Sequence, residues 1–263
     1  MSEATSPADV QLERTLTGGV LKLTFARPEK KNAFTVRMYE ECAAALNAAA
    51  TDTAVRCVLF TGKGSAFTSG NDLVDFMNAP PAGEDSAVFR FLLALIDFEK
   101  PIIAAVNGAA IGIGVTMLLH CDLVYAADSA RFTTPFVALG LVPEGASSLL
   151  VPRAAGFAAA NEMLLLGEPV DAAFAKDAGI VARVLPAAEL LPFAVAQANK
   201  LAALAPAALR QSKALIRGPQ KEAVKRALYE EAKVFLARLS SPEAIEAFTA
   251  FFEKRKPDFS RFT

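Results

Sequence analysis

"KPIIAAVNGAAIGIGVTMLLHCDLVYAAD", residues 100–128, holds the run that decides how this chain folds: no residue from Ile102 to Leu119 carries a charge. A membrane-spanning helix needs a run of about this length, roughly 20 apolar residues. Asn107, Gly108, Gly112 and Gly114 interrupt it, however. The interruptions suit a buried strand, a glycine-rich loop and a short buried helix from about Val115 to His120, followed by a second buried strand in "CDLVYAAD".

Upstream, "GGVLKLTFARP" alternates Leu21, Leu23 and Phe25 with Lys22 and Thr24, the period of a half-buried strand that Pro28 ends. "TVRMYEECAAALNAAATD" predicts a helix with Thr35 as its N-cap, and "AVRCVLFTG", residues 54–62, a buried strand. Strand, helix and strand in succession imply a parallel crossover and an α/β core reaching to about residue 195. Beyond it, "KEAVKRALYEEAKVFLARL" and "SPEAIEAFTAFFEKRKPDF" carry helical apolar spacing, and Ser241-Pro242-Glu243 is a helix start. The expected organisation is a core over residues 1–195 and a helical oligomerisation region over 196–263. Phe235, Phe248, Phe251 and Phe252 would pack on the core or on another subunit.

Composition excludes several classes of function. Hydrophobic residues make up 53% of the 263, as in a folded protein, and 27 Lys and Arg nearly balance 28 Asp and Glu. That balance provides no bulk field to draw nucleic acid or an anionic membrane. Cys42, Cys57 and Cys121 form no close-spaced ligand motif, and a single histidine, His120, precludes a two-histidine metal site. "MSEATSPADVQLERTL" lacks the basic start and apolar core of a signal peptide, so the expectation is a cytoplasmic protein with reduced thiols.

Two glycine-bearing segments can present backbone N–H groups to a ligand: "AFTSGNDL", residues 66–73, and the segment around Gly112-Ile113-Gly114. The second lacks the third glycine of a dinucleotide-binding loop. A third segment, "LGLVPEGASSLLVPR", places Glu144 as the lone ionisable group between Arg131 and Arg153. An isolated acid among apolar residues must be paired from elsewhere, solvated at a loop, or kept in an apolar pocket for its proton chemistry.

Taken together and in order, "ARPEKKNAF", "AFTSGNDL", the opening stretch, "FTTPFVALGLVPEGASSLLVPRAAG" and "DAAFAKDAGIVARVL" resemble the crotonase superfamily of enoyl-CoA hydratases and isomerases. The resemblance implies a crotonase-like ββα spiral with a C-terminal helical appendage, an acyl-CoA thioester as substrate, and a trimer or dimer of trimers. It also implies no metal or redox cofactor, coenzyme A being part of the substrate. By position, the backbone N–H groups of Ser69 and Ile113 would hold the thioester oxygen as it becomes an enolate. The two glutamates of the hydratases would fall at Thr116 and Phe136, neither of them acidic, which disfavours simple hydration and makes that side of the acyl pocket apolar.

The peroxisomal-type 3,2-trans-enoyl-CoA isomerases resemble this chain in placing one glutamate where Glu144 stands. A single base suffices to move a proton from C2 to C4. The competing reading of Glu144 is a cap for the helix starting near Ala146. Arg27, Lys30 and Lys31, with Phe251 and Lys254 of the tail, would meet the coenzyme A moiety. Asp72 and His120 are the next candidates for the base. The alternatives are another crotonase-type reaction, such as hydration of an unusual enoyl-CoA, a non-catalytic acyl-CoA binder, or an assembly subunit.

Overall fold

The computed structural model describes residues 10–78, 83 and 85–262. Most of the N-terminal stretch read above for a leader lies outside the described residues. In chain order the first elements are β1 (Leu12–Thr17), β2 (Val20–Phe25), α1 (Val36–Thr51), β3 (Cys57–Gly62), β4 (Ala66–Thr68), α2 (Leu73–Asn78) and α3 (Ala87–Asp97). The opening stretch becomes β5 (Ile102–Val106), β6 (Ala109–Ile111), α4 (Ile113–Thr116), which tightens into a 3₁₀ turn over Met117–His120, and β7 (Leu123–Ala127). There follow β8 (Arg131–Thr133), α5 (Ser147–Asn161), β9 (Val170–Asp171), α6 (Ala172–Asp177), β10 (Arg183–Leu185), α7 (Ala187–Ala203), α8 (Pro206–Leu239) and α9 (Pro242–Phe252).

The strands form two sheets, ordered β1-β2-β3-β5-β7-β10 and β4-β6-β8-β9, and from β3 to β8 successive strands alternate between them. Each pair, β3-β4, β5-β6 and β7-β8, thus puts one strand in each sheet before a helix returns the chain, which is the expected ββα spiral. The switch between sheets needs glycine: a Cβ on Gly108 would lie 2.0 Å from the Ser65 carbonyl oxygen. Apart from the β1–β2 hairpin, the larger sheet pairs in parallel. β5 is buried at every residue because α1 and α3 pack over one face and α7 over the other, which explains its uninterrupted apolar sequence.

Local capping follows the sequence. Thr35 Oγ1 accepts from the Met38 N–H at 3.1 Å, and Ser241 Oγ from the Ala244 N–H at 3.2 Å. The three cysteines are buried and free. One feature differs from expectation. The boundary drawn at residue 195 falls inside α7, which runs unbroken from Ala187 to Ala203 and buries Leu190, Ala194 and Ala198 against the larger sheet. The run at 102–119 forms strands and a short helix as expected, and the described stretch long and apolar enough to cross a membrane is Ser147–Leu166, whose helical path breaks at Gly156 (φ 75°, ψ 166°).

α8 is not a detached appendage. Lys213 Nζ reaches Asp122 Oδ2 and the Lys100 carbonyl, both at 2.8 Å, and Arg217 donates to the Leu119 and Cys121 carbonyls. These bonds tie α8 to the end of the 3₁₀ turn after α4. About three turns further along, its apolar face closes the pocket described next.

Candidate active site

A pocket of about 530 Å³ lies between α3, α8 and the turn before α5, with walls that include Phe76, Phe89, Leu92, Leu228, Phe235 and Leu236. Its polar lining consists of Tyr39, Asn71, Ser86 and the Glu144 carboxyl, and no Lys, Arg or His lines it among the described residues. Burial pushes the Glu144 carboxyl up to about 7; the Thr116 hydroxyl pulls it down, and the negative charge of Glu231 pushes it up further. A carboxyl with that proton affinity is poised to accept and return a proton near neutral pH.

The turn carrying Glu144 is strained: Gly145 (φ 70°) and Ala146 (φ 60°) are both left-handed. Three consecutive residues of it are held by three different elements. The Thr116 hydroxyl, from α4, donates to Glu144 Oε1. His120 Nε2, at the end of the following 3₁₀ turn, lies 2.8 Å from the Gly145 carbonyl oxygen. Glu231 Oε2, from α8, accepts the Ala146 N–H at 2.6 Å, and its Oε1 accepts the Ser148 N–H at 2.8 Å and the Ser148 hydroxyl. A left-handed alanine costs about 1–2 kcal/mol. Hydrogen bonds to a charged group contribute about 1.5–3 kcal/mol each, so the clamp outweighs the strain.

These contacts settle which acid caps α5. Glu231, 8% exposed, takes the free N–H groups at the start of the helix, while Glu144 contributes only its backbone carbonyl, 3.2 Å from the Ser147 N–H. The Glu144 side chain faces the pocket. His120 is buried and its pKa falls to about 4, mainly through loss of solvation, so it is neutral and donates from Nε2 to Gly145. Asp72 forms an ion pair with Arg27 at 3.1 Å. Neither His120 nor Asp72 lines the pocket.

The oxyanion donors require a correction. The Ser69 N–H donates to the Lys31 carbonyl at 2.9 Å, so it is not available to a ligand. The N–H two residues on, that of Asn71, has no hydrogen-bond partner among the described residues and sits at the pocket; Asn71 Oδ1 meanwhile accepts from the Tyr39 hydroxyl. Ile113 opens α4, where its N–H has no acceptor within the helix. β4 and β6 are parallel, with Thr68 opposite Ala110, and Asn71 and Ile113 each lie three residues beyond that pair. Each follows a glycine of positive φ, Gly70 at 86° and Gly112 at 54°. Asn71 and Ile113 thus share a Gly-then-donor arrangement, whereas Ser69 precedes its glycine.

The remaining expected residues divide. Thr116 is fully buried and meets the site through Glu144; Phe136, 5% exposed, packs in the main core and is no part of the pocket wall. The walls come instead largely from α3 and α8. Arg27 is engaged by Asp72 and by the Ala33 carbonyl, so its charge is already paired. Lys30 and Lys31 are exposed, and their backbone carbonyls contact Ser69 of the donor loop. Phe251 and Lys254 are exposed and do not line this pocket. Glu231 had a signal of its own: it falls on the apolar face Val224-Leu228-Glu231-Phe235, an acid at a core-facing position of a helix.

Residues 15–261 match the enoyl-CoA hydratase/isomerase family. The rat enoyl-CoA delta isomerase 2 is 43% identical over 249 residues, which cover 92% of this chain and 63% of that protein; the chain thus spans less than two thirds of this relative. The 2,3-dehydroadipyl-CoA hydratase of Escherichia coli K12 is 35% identical over 91% of this chain and 94% of its own length. A crystal structure of an enoyl-CoA hydratase/isomerase from Pseudoalteromonas atlantica T6c superposes with a TM-score of 0.91 at 47% identity, covering 95% of this chain and all of the other.

Proposed function

The chain belongs to the enoyl-CoA hydratase/isomerase family, and from that premise we propose that it converts 3-enoyl-CoA to 2-trans-enoyl-CoA with Glu144 as its single base. The observation that carries this reading is that Glu144 is the one carboxyl among the described residues lining a largely apolar pocket. The ionised carboxylate takes a proton from C2, the electron pair delocalises onto the thioester oxygen to give a dienolate conjugated with the C3–C4 double bond, and the same carboxyl returns the proton at C4 as the oxygen's charge flows back. The double bond ends between C2 and C3, and no atom or electron is gained or lost. The N–H groups of Asn71 and Ile113 stabilise the dienolate oxygen, and such preorganised donors are worth most where water is excluded.

Hydration, the activity named for the Escherichia coli relative, calls for one group to activate water and another to handle the proton. Thr116 and Phe136 stand at the positions where the resemblance puts those groups. Several exposed apolar side chains, among them Phe157 (76%), Leu215 (78%) and Ile216 (71%), support the further proposal of a homotrimer or dimer of trimers. A spectrophotometric assay of 3-enoyl-CoA and 2-enoyl-CoA side by side tests the assignment. The expected result is conversion of the first with no hydration of the second; faster hydration of 2-enoyl-CoA would replace the isomerase reading with a hydratase.

A further inference from the structure

Four side chains surround the base: Tyr39 from α1, Thr116 from α4, His120 from the turn behind it and Glu231 from α8. Three of them present neutral groups to it. Glu231 is the exception: burial pushes its carboxyl up, and three donors, the Ala146 N–H, the Ser148 N–H and the Ser148 hydroxyl, favour its ionised form against that burial. It reaches these groups from 83 to 85 residues away in the chain. It also sits on the helix whose Leu228, Ala232, Phe235 and Leu236 form one wall of the pocket.

We propose that Glu231 is a positioning residue, through which the wall helix α8 orients the Glu144 carboxyl and keeps it a strong enough base. The inference rests on Glu144 being the base. The mechanical part follows from geometry: Ala146 is held left-handed by the Glu231 bond, and a change at Ala146 swings the carboxyl two residues before it. The electrostatic part follows from charge. The negative charge of Glu231 raises the proton affinity of Glu144, and no cation lines the pocket among the described residues to offset it. A negative neighbour strengthens a base, and a stronger base takes the C2 proton more readily. Binding of an acyl chain against α8 thereby braces the turn that carries out the chemistry.

The test is the pH profile of Glu231→Gln, which keeps the size of the side chain and removes its charge. In the wild-type protein kcat/KM should rise with pH through an inflection near the Glu144 value of about 7. In the variant that inflection should move to lower pH by about half a unit or more as the like charge is lost. Saturating kcat should fall about tenfold as the base weakens and loosens, with KM within about twofold. A variant that loses thermal stability but keeps the wild-type inflection would reduce Glu231 to a structural brace and overturn the inference. Should Glu231→Gln not fold, Ser148→Ala removes one bond at an exposed side chain, and kcat should drop about threefold or more at unchanged KM. Unchanged kcat there overturns the inference equally. Failure of the isomerase reading itself shows separately, as Glu144→Gln retaining activity whatever happens at residue 231.

Discussion

The pocket is built from two regions that hold their functional groups in opposite ways. The donor strands present backbone N–H groups at Asn71 and Ile113, each aimed by the glycine before it and set side by side by the β4–β6 pairing. The base turn presents a side chain, Glu144, and is aimed by Thr116, His120 and Glu231 from separate elements. Backbone donors need only local conformation and one strand register. A side-chain base in a strained turn needs distant partners, and its proton affinity is set by what those partners carry.

The largest expected effect separates the two regions outright. Glu144→Gln keeps size and hydrogen bonding but removes the base, so kcat should fall more than about 100-fold while acyl-CoA affinity stays near wild type. Stopped turnover with intact binding, read by isothermal calorimetry with a saturated acyl-CoA, is the expected outcome; retention of more than about a tenth of kcat would return the search to other acids.

On the donor side, Gly112 sits at φ 54°, ψ −116°, a conformation open to glycine and strained for any L side chain. Gly112→Ala has open space for the added methyl, so its damage is confined to backbone direction. The Ile113 N–H should lose its aim and kcat should fall about 100-fold, the scale of losing one oxyanion donor. Normal turnover would detach Ile113 from the oxyanion role and leave the two regions unequal partners.

The pocket walls sharpen the comparison with respect to substrate. With no cation on the lining among the described residues, an acyl chain ending in a carboxylate would place an unpaired charge near Glu144. The ratio of kcat/KM for 3-hexenoyl-CoA over its ω-carboxylate counterpart should exceed about tenfold, given what an unpaired buried charge costs. Equal rates would mean that the chain end reaches solvent.

The smallest effect is one of stability. The Glu144 carboxyl is raised to about 7 in the folded state, so folding favours its protonated form; that contribution is complete below the unfolded value near 4.5 and is lost as pH rises through 7. Glu144→Gln should therefore raise the melting temperature by a few degrees at pH 8 and leave it unchanged at pH 4, a difference that scanning calorimetry resolves. A uniform shift at both pH values would show packing and not ionisation at work.

Much of this was legible along the chain. The alternation in "GGVLKLTFARP", the caps at Thr35 and Ser241, and the glycine breaks in residues 100–128 each act within a few residues, where steric and hydrogen-bonding preferences are local. Glu144 was conspicuous because it stands alone in an apolar segment, and a lone acid there demands an explanation from desolvation alone. The order of the motifs implied the ββα spiral, and the paired sheets bear it out.

Which backbone N–H remains free was a different kind of question. Ser69 and Asn71 flank the same glycine, and only the approach of Lys31, brought in by a turn far upstream, removes the first from contention. The cap of α5 likewise comes from Glu231, more than 80 residues downstream, and no rule of local spacing links it to Ala146. The expected boundary at residue 195 sets α8 and the end of α7 apart from the core, yet α7 buries a sheet face and α8 walls the pocket. The sequence by itself determined many of the elements and the identity of the lone acid, because those rest on short-range sterics and on the cost of burying charge, while the spiral followed from the resemblance that the ordered motifs carry. Tertiary structure alone decided which donor is free, which carboxylate caps and which works, because each depends on groups that meet only when the chain has folded.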